Sequence, residues 1–158
     1  MHVATGLLVQ HSQQIEFGYC LPACAQMALS YLGISRSQQE IGRTLTVRKG
    51  IGVPASQVVS LQTREIATQY YIEGTLTNVR NWLEKQVPVI AFIQAGELPH
   101  WTGNRFQHAV LVSGMDDSTV WLHDPALADG PTGVPLADFL LAWDEIDHRF
   151  AVIFLRIE

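Results

Sequence analysis

The chain has 158 residues, the length of one domain of ordinary size. Apolar residues make up 47% of it, which excludes a disordered chain, and charged residues make up only 16%, against roughly 25% in an average domain. Ten basic and fifteen acidic residues give a net charge of −5, and because the basic residues are scattered, the sequence offers no electrostatic footprint for nucleic acid.

The first half of the chain predicts helices. Residues 22–31 (PACAQMALSY) have Pro22 in the opening turn, Gly33 as a stop signal and apolar residues on most of the circumference, which is typical of a central, buried helix. Residues 37–45 (SQQEIGRTL) open with a serine and a glutamate at the spacing of a capping box. Two further helices are predicted over 54–69 and 78–85.

The second half predicts an antiparallel sheet. Segments that are apolar, β-branched and bounded by turn residues indicate strands, and they cover 88–93, 108–113, 119–123 and 150–156. Residues 136–143 (LADFLLAW) predict a short helix, and 94–107 predict a long loop of the kind that often lines a cleft. The expected fold class is α+β, a single domain over 1–158 with N-terminal helices packed on a C-terminal antiparallel sheet.

Two cysteines, Cys20 and Cys24, lie four residues apart at the start of the first helix. A disulfide within one helical turn is disfavoured by geometry, and two cysteines are too few for a structural zinc site. The unpaired N–H groups and positive dipole end of a helix N-terminus lower a thiol pKa from about 8.5 to roughly 3.5–7.5. Cys20 is therefore a candidate nucleophile, with a small buried residue as the alternative, whereas Cys24 is predicted to be core.

His108 begins one predicted strand, and Asp124 ends the next. A hairpin turn centred on Asp116 places His108 directly opposite Asp124 on one face and turns His123 to the other face. An even-numbered turn breaks this register, and the alternative is that both residues merely flank exposed strands. Together with Cys20 they would supply a nucleophile, a base and an acid that orients the base.

Such a reaction also needs a donor for the oxyanion that forms on the attacked carbonyl. Gln14 lies six residues before Cys20, and its amide is a candidate donor. Gln13 is nearly equivalent by composition, and the residues alone do not choose between the two.

Several segments together resemble the cysteine peptidases, family 39-like, that remove double-glycine leader peptides from bacteriocin precursors and have a papain-like fold. They are QIEFGYCLPACAQMALSYLG, PVIAFI, HAVLVSGMDDSTVWLHDPA and LADFLLAW, and they cover nearly the whole chain in the family's order. The resemblance implies that Cys20 in YCLPAC is the nucleophile, His108 the base and Asp124 in HDPA the acid. It also selects Gln14 over Gln13, because the family has a glutamine six residues before the nucleophile.

The chain departs from the family at two positions beside the nucleophile. Leu21 replaces the usual glycine, and Tyr19 replaces a frequent aspartate. We expect a leucine at this position to narrow the approach of the substrate or to alter the backbone at the oxyanion hole. We also expect a free-standing domain, whereas many relatives are fused to an ATP-driven exporter, so that association with an exporter is the partnership that the resemblance implies.

The resemblance predicts a cysteine peptidase that acts on a peptide or protein, with a leader peptide as the implied substrate and a pair of small residues before the cut. Leu21 and Trp101, the latter in the long loop, are candidate substrate contacts, and packing is an equal alternative for Trp101. The alternatives for the whole chain are a non-proteolytic peptide-binding module on the same fold, or an amidase or transpeptidase acting on a small amide.

No cofactor and no metal are expected. His100, His108, His123 and His148 together with Asp124 show no metal-ligand spacing. No stretch reaches the roughly 20 apolar residues of a membrane span, and the first residues lack the basic start and apolar run of a signal peptide. These features predict a cytoplasmic location.

Overall fold

A six-stranded antiparallel sheet with helices on both faces organises the chain. The computed structural model describes residues 6–101 and 103–157. The sheet order is β1-β6-β2-β3-β4-β5, and every neighbouring pair is antiparallel. In chain order the elements are α1 (Cys20–Tyr31), α2 (Gln38–Leu45), β1 (Ile66–Tyr71), α3 (Leu76–Glu84), β2 (Val89–Gln94), β3 (Gln107–Met115), β4 (Thr119–His123), β5 (Thr132–Pro135), α4 (Leu136–Asp144) and β6 (Phe150–Leu155).

The core lies in two layers, one on each face of the sheet. Alternation along β2 shows the division: Val89, Ala91 and Ile93 join α3 and α4 in one apolar cluster, whereas Ile90 and Phe92 join α1 and α2 in the other. Central strands bury side chains on both faces, which is why residues 89–93 of β2 and 109–112 of β3 form continuous apolar runs.

Helix α1 is the central helix of its layer, as its apolar circumference predicts. Eight of its twelve residues are buried, and it packs between β3 and α2. It begins at Cys20, two residues earlier than predicted, because Pro22 needs no N–H partner in the first turn. Cys24 has no exposed surface, which confirms its prediction as a core residue.

The α+β class is confirmed, but the helix predicted over 54–69 is wrong. The segment Ala55–Leu61 is a 3-10 helix, and it is followed by the edge strand β1. Val58 and Leu61 both point into the core at a spacing of three, which imitates an α-helical pattern. The hydroxyl of Thr63 then accepts hydrogen bonds from the next backbone N–H groups and turns the chain into β1.

The sheet has two more strands than the sequence predicts. The short edge strand β5 contains Gly133 and Pro135, both poor strand formers, and is not predicted by the sequence. Helices α3 and α4 cover the face opposite α1, so helices lie on both faces of the sheet. The expected loop over 94–107 contains two 3-10 turns, Ala95–Glu97 and Pro99–Trp101.

The hairpin of β3 and β4 is shifted by two positions from the predicted register. Leu111, not residue 109, lies opposite His123. The turn is even-numbered, since Met115 pairs with Val120, and the irregularity between Val112 and Gly114 changes the register by one residue. The resulting shift of two beyond the irregularity keeps the side chains at that end of the hairpin on their predicted faces. Asp124 therefore lies just beyond the end of β4, yet on the same face as His108.

The irregularity in β3 also docks the N-terminal segment. The carbonyl of Ser113 accepts a hydrogen bond from the backbone N–H of Leu7 at 2.8 Å. Gly6 makes this approach feasible, since a Cβ there would lie 1.9 Å from the Ser113 carbonyl oxygen and its φ is +80°. The contact fixes the start of the described chain on the sheet. None of the described helices combines the length and apolar character needed to cross a membrane.

Packing of Trp143 stabilises the connection between α4 and β6, and a substitution at this residue tests that role. Its side chain is fully buried, and its indole N–H donates to the carbonyl of Arg149 at 2.8 Å. We expect Trp143→Phe to lower the free energy of unfolding by about 1–3 kcal/mol in urea titrations, because it opens a cavity and removes that hydrogen bond. The matched control is Trp121→Phe, whose indole N–H has no partner among the described residues. Equal destabilisation by both variants would contradict this role of Trp143.

Candidate active site

A cavity of about 430 Å³ opens where the start of α1 meets the ends of β2 and β3. Residues 53–56 and the connection between α4 and β6 complete its wall. Cys20 and His108 both line it. A cleft with a thiol and an imidazole side by side is a default candidate for an active site.

Cys20 is held in conditions that favour the thiolate. Burial opposes its ionisation, but a hydrogen bond and the charge of His108, followed by the backbone N–H groups of Ala109 and Leu21, outweigh burial and lower the thiol pKa below its ordinary value. Cys20 is also the first residue of α1, whose N-terminus has no side-chain cap. The positive end of that helix therefore faces the sulfur.

His108 is almost fully buried between Cys20 and Asp124. Its Nε2 lies 2.7 Å from Oδ1 of Asp124, which leaves Nδ1 for the hydrogen bond to Cys20. Burial alone would lower the histidine pKa, but Asp124 and Cys20 raise it to about 9. At neutral pH this geometry favours a thiolate on Cys20 beside an imidazolium on His108.

Asp124 has no exposed surface and accepts four hydrogen bonds. Oδ1 accepts from His108 and from the backbone N–H of Ala126 at 2.9 Å. Oδ2 accepts from Nε2 of His100 at 2.8 Å and from Nε1 of Trp101 at 2.7 Å. Burial opposes ionisation, yet His108 above all, and then His100 and Trp101, hold the carboxyl pKa well below its usual range.

Gln14 is fixed beside the segment that follows Asp124. Its backbone N–H donates to the carbonyl of Pro125 at 2.7 Å, and its side-chain amide donates to the carbonyl of Glu16 at 3.0 Å. The amide nitrogen carries a second hydrogen that this bond does not use. Gln14 does not line the cavity, and Gln13 is exposed, with its amide on the carbonyl of Ala126 at 3.2 Å.

The two predicted substrate contacts differ in their position relative to the cavity. Leu21 lines the cavity, but its side chain is only 2% exposed and packs in the core cluster of α1, so it forms part of the wall rather than an obstruction. Trp101 is not among the cavity residues, because the 3-10 turn that carries it directs the indole N–H to Asp124.

His100 is the functional candidate that sequence reasoning missed. It was considered only as a metal ligand, whereas the structure places it on the carboxylate of Asp124. A contact between residues 24 positions apart leaves no periodic signal in the sequence. Among the residues that the structure describes, no group of three or more His, Cys, Asp or Glu side chains is arranged to hold a metal ion.

A second histidine pair ties the N-terminal segment to the loop after β4. His11 and His123 stack with ring centroids 5.2 Å apart and Nδ1 atoms 2.9 Å apart, while Nε2 of His11 contacts the carbonyl of Leu127 at 2.7 Å. Burial and the neighbouring His11 lower the pKa of His123 to about 4. The pair therefore anchors the segment that carries Gln14 next to Asp124.

Comparison with known proteins relates the chain to one family. The sequence model of the Peptidase_C39 like family matches residues 6–150. A comparison with curated proteins found no match.

Solved structures share the fold at low sequence identity. A protein from Bacillus anthracis that is assigned to the C39-like peptidases has a TM-score of 0.78 and 16% identity, over 97% of this chain and 98% of its own. The peptidase domain of Streptococcus ComA, a bifunctional ABC transporter involved in a quorum-sensing pathway, has a TM-score of 0.72 and 20% identity over 96% and 100%. A double glycine motif protease from an AMS/PCAT transporter, in complex with its leader peptide, has a TM-score of 0.71 and 18% identity over 96% and 94%.

The buried His123 makes the free energy of unfolding depend on pH in the acid range. Its native pKa of about 4 lies below the ordinary value of about 6.5, so the unfolded chain binds a proton that the native state does not bind. We expect the free energy of unfolding to fall as the pH decreases from about 6.5 to about 4. In urea titrations across this range, His123→Asn should show a shallower decrease than wild type. An unchanged slope would contradict a neutral, buried His123.

Proposed function

The chain belongs to the Peptidase_C39-like family, and on that premise we propose that it hydrolyses peptide bonds with Cys20 as nucleophile, His108 as acid and base, and Asp124 as the group that orients His108. The observation that carries the proposal is the continuous contact from Cys20 through His108 to the buried carboxylate of Asp124, at the wall of an open cavity. Fold alone would not support it, because unrelated functions share folds.

The proposed reaction begins with attack of the Cys20 thiolate on the carbonyl carbon of the scissile bond. The tetrahedral intermediate collapses as His108 transfers its proton from Nδ1 to the leaving amine, which leaves a thioester on Cys20. A water molecule then attacks the thioester, His108 accepts a proton from that water, and release of the acid restores the thiolate and imidazolium pair. Asp124 orients His108 throughout and stabilises it in the steps where it is an imidazolium.

Two donors are available for the oxyanion. The backbone N–H of Cys20 lies at the uncapped start of α1, where helix N–H groups have no intrahelical partner. The unused hydrogen of the Gln14 amide is the second proposed donor, and the hydrogen bond from Gln14 to Pro125 fixes it beside the catalytic carboxylate. A single donor of this kind typically contributes about 10²–10³ in kcat.

We propose a leader peptide with two small residues before the cut as the substrate class, and an exporter as partner. Two of the similar structures are transporter peptidase domains, and one of them holds a leader peptide. The buried position of Leu21 is compatible with this proposal, because its side chain packs in the core cluster of α1. We also propose the cytoplasm as the place of action, because a reducing compartment keeps a free thiol from oxidation.

The nucleophile and its specificity are tested with a peptide vinyl sulfone that ends in Gly-Gly, using intact mass to follow labelling. We expect wild type and Cys24→Ala to be labelled, because Cys24 is buried and its thiol pKa is raised by burial and by the charges of Cys20 and Asp124. Cys20→Ala should not be labelled, and His108→Ala should react about 10²–10⁴ times more slowly.

Other outcomes would favour the alternative functions. Rapid alkylation of Cys20 by iodoacetamide at neutral pH without labelling by the Gly-Gly probe would contradict leader specificity and favour an amidase or transpeptidase. An ordinary, His108-independent reactivity of Cys20 with both reagents would contradict the proposed chemistry and favour a peptide-binding module.

The oxyanion role of Gln14 has a matched control next to it in the chain. We expect Gln14→Ala to lower kcat for cleavage of a Gly-Gly peptide by about 10²–10³, while alkylation of Cys20 by iodoacetamide stays unchanged because no oxyanion forms in that reaction. Gln13→Ala, which alters an exposed amide, should stay within about twofold of wild type. Equal losses in both variants would contradict the assignment.

A further inference from the structure

The 3-10 turn Pro99–Trp101 places two donors on one oxygen of Asp124. Nε2 of His100 lies 2.8 Å from Oδ2, and Nε1 of Trp101 lies 2.7 Å from the same atom. The triad chemistry uses the other oxygen, Oδ1, which faces His108. The turn therefore makes contacts that the proposed reaction sequence does not account for.

Burial of Asp124 explains why the second oxygen needs partners. An ionised carboxylate only accepts hydrogen bonds, and an oxygen without donors or water inside a protein is strongly unfavourable. Asp124 has no exposed surface, and Oδ1 is satisfied by His108 and by the backbone N–H of Ala126. Without the turn, Oδ2 would be buried with no donor among the described residues.

The turn is itself held firmly, so its donors are pre-positioned. Leu98, immediately before it, is fully buried in the core cluster of α4, and its carbonyl accepts the backbone N–H of Trp101 at 3.0 Å. The carbonyl of Trp101 in turn accepts the N–H of Asn104 at 2.8 Å. Donors fixed on Oδ2 prevent rotation of the carboxylate, and Oδ1 then stays directed at Nε2 of His108.

The same residues also shield the ion pair. The indole of Trp101 meets the ring of His108 edge-on with centroids 6.3 Å apart, and Phe106 does so at 5.2 Å. An apolar wall around a charged pair strengthens its attraction, because the local dielectric constant is lower than that of water.

We propose that His100 and Trp101 are positioning residues of this site: they keep Asp124 ionised and directed at His108, and through His108 they keep the Cys20 thiolate formed over the neutral pH range. The inference rests on the proposed peptidase function. It assigns roles to two residues that are not among those lining the cavity.

The test compares variants that keep or remove a donor. His100→Gln retains an N–H near the position of Nε2, whereas His100→Leu removes it; Trp101→Phe removes the indole N–H but keeps an aromatic ring. Trp82→Phe, at a partly buried tryptophan that packs on Phe154, is the control for loss of an indole. Two experiments follow each variant: the alkylation rate of Cys20 by iodoacetamide as a function of pH, and the kinetics of cleavage of a Gly-Gly peptide, which give kcat and KM.

We expect His100→Leu and Trp101→Phe to lower kcat by about tenfold to hundredfold with little change in KM, the loss expected for one hydrogen bond to a buried charge. The pH at which the alkylation rate of Cys20 rises should increase. The pH range over which the peptide is cleaved should narrow at both its acid and its basic limit. His100→Gln and Trp82→Phe should remain near wild type.

Unchanged profiles and kcat in His100→Leu and Trp101→Phe, with melting temperatures showing that both fold, would overturn the inference. So would a His100→Gln variant as impaired as His100→Leu. If Trp101→Phe does not fold, the two His100 variants decide the question. A wild-type Cys20 without His108-dependent alkylation would instead refute the proposed function itself, so the two failures are distinguishable.

Discussion

A carboxylate without exposed surface, Asp124, receives donors from three separate parts of the chain: the strand β3, the turn Pro99–Trp101 and its own following loop. Burying a carboxylate alone costs several kcal/mol, so this position is stable only where the fold brings those donors together. The other charges follow from it. Asp124 raises the pKa of His108, and His108 lowers that of Cys20. The reactivity proposed for the Cys20 sulfur thus originates in the packing around the carboxylate of Asp124, which reaches Cys20 through His108.

The sheet supplies the rigid frame for these contacts. Its two buried faces hold α1 on one side and α4 on the other, so the uncapped start of α1 meets the end of β3 at a fixed place. The irregularity in β3 docks the N-terminal segment through the carbonyl of Ser113, and the hydrogen bond from Gln14 to Pro125 continues that docking to the loop after Asp124. Elements that are distant in sequence share one site because each is held by β3 or by the loop that follows β4.

The sequence predicts the parts of this molecule that repeat with a period, and it fails where a contact depends on tertiary packing. The helices α1, α2, α3 and α4 and the strands β2, β3, β4 and β6 follow from apolar spacing, but β1 was lost in a run that imitates a helix. The predicted hairpin register is wrong by two positions, and His108 and Asp124 still meet because a shift of two preserves the face. The contacts of His100 and Trp101 with Asp124 have no signal in the sequence, since nothing in a long loop shows which distant carboxylate its side chains will reach.

The ultraviolet absorbance of the Cys20 thiolate shows most directly whether Asp124 controls the charge on the sulfur. It is taken as the difference between wild type and Cys20→Ser across a pH titration, and the same titration is made with Asp124→Asn. We predict a thiolate signal that persists through neutral pH in wild type and disappears only below the ordinary thiol pKa of about 8.5. In Asp124→Asn the transition should move upward, because the imidazolium loses its partner. A wild-type thiolate that appears only near the ordinary thiol pKa, with no change in Asp124→Asn, would contradict the control of Cys20 by Asp124.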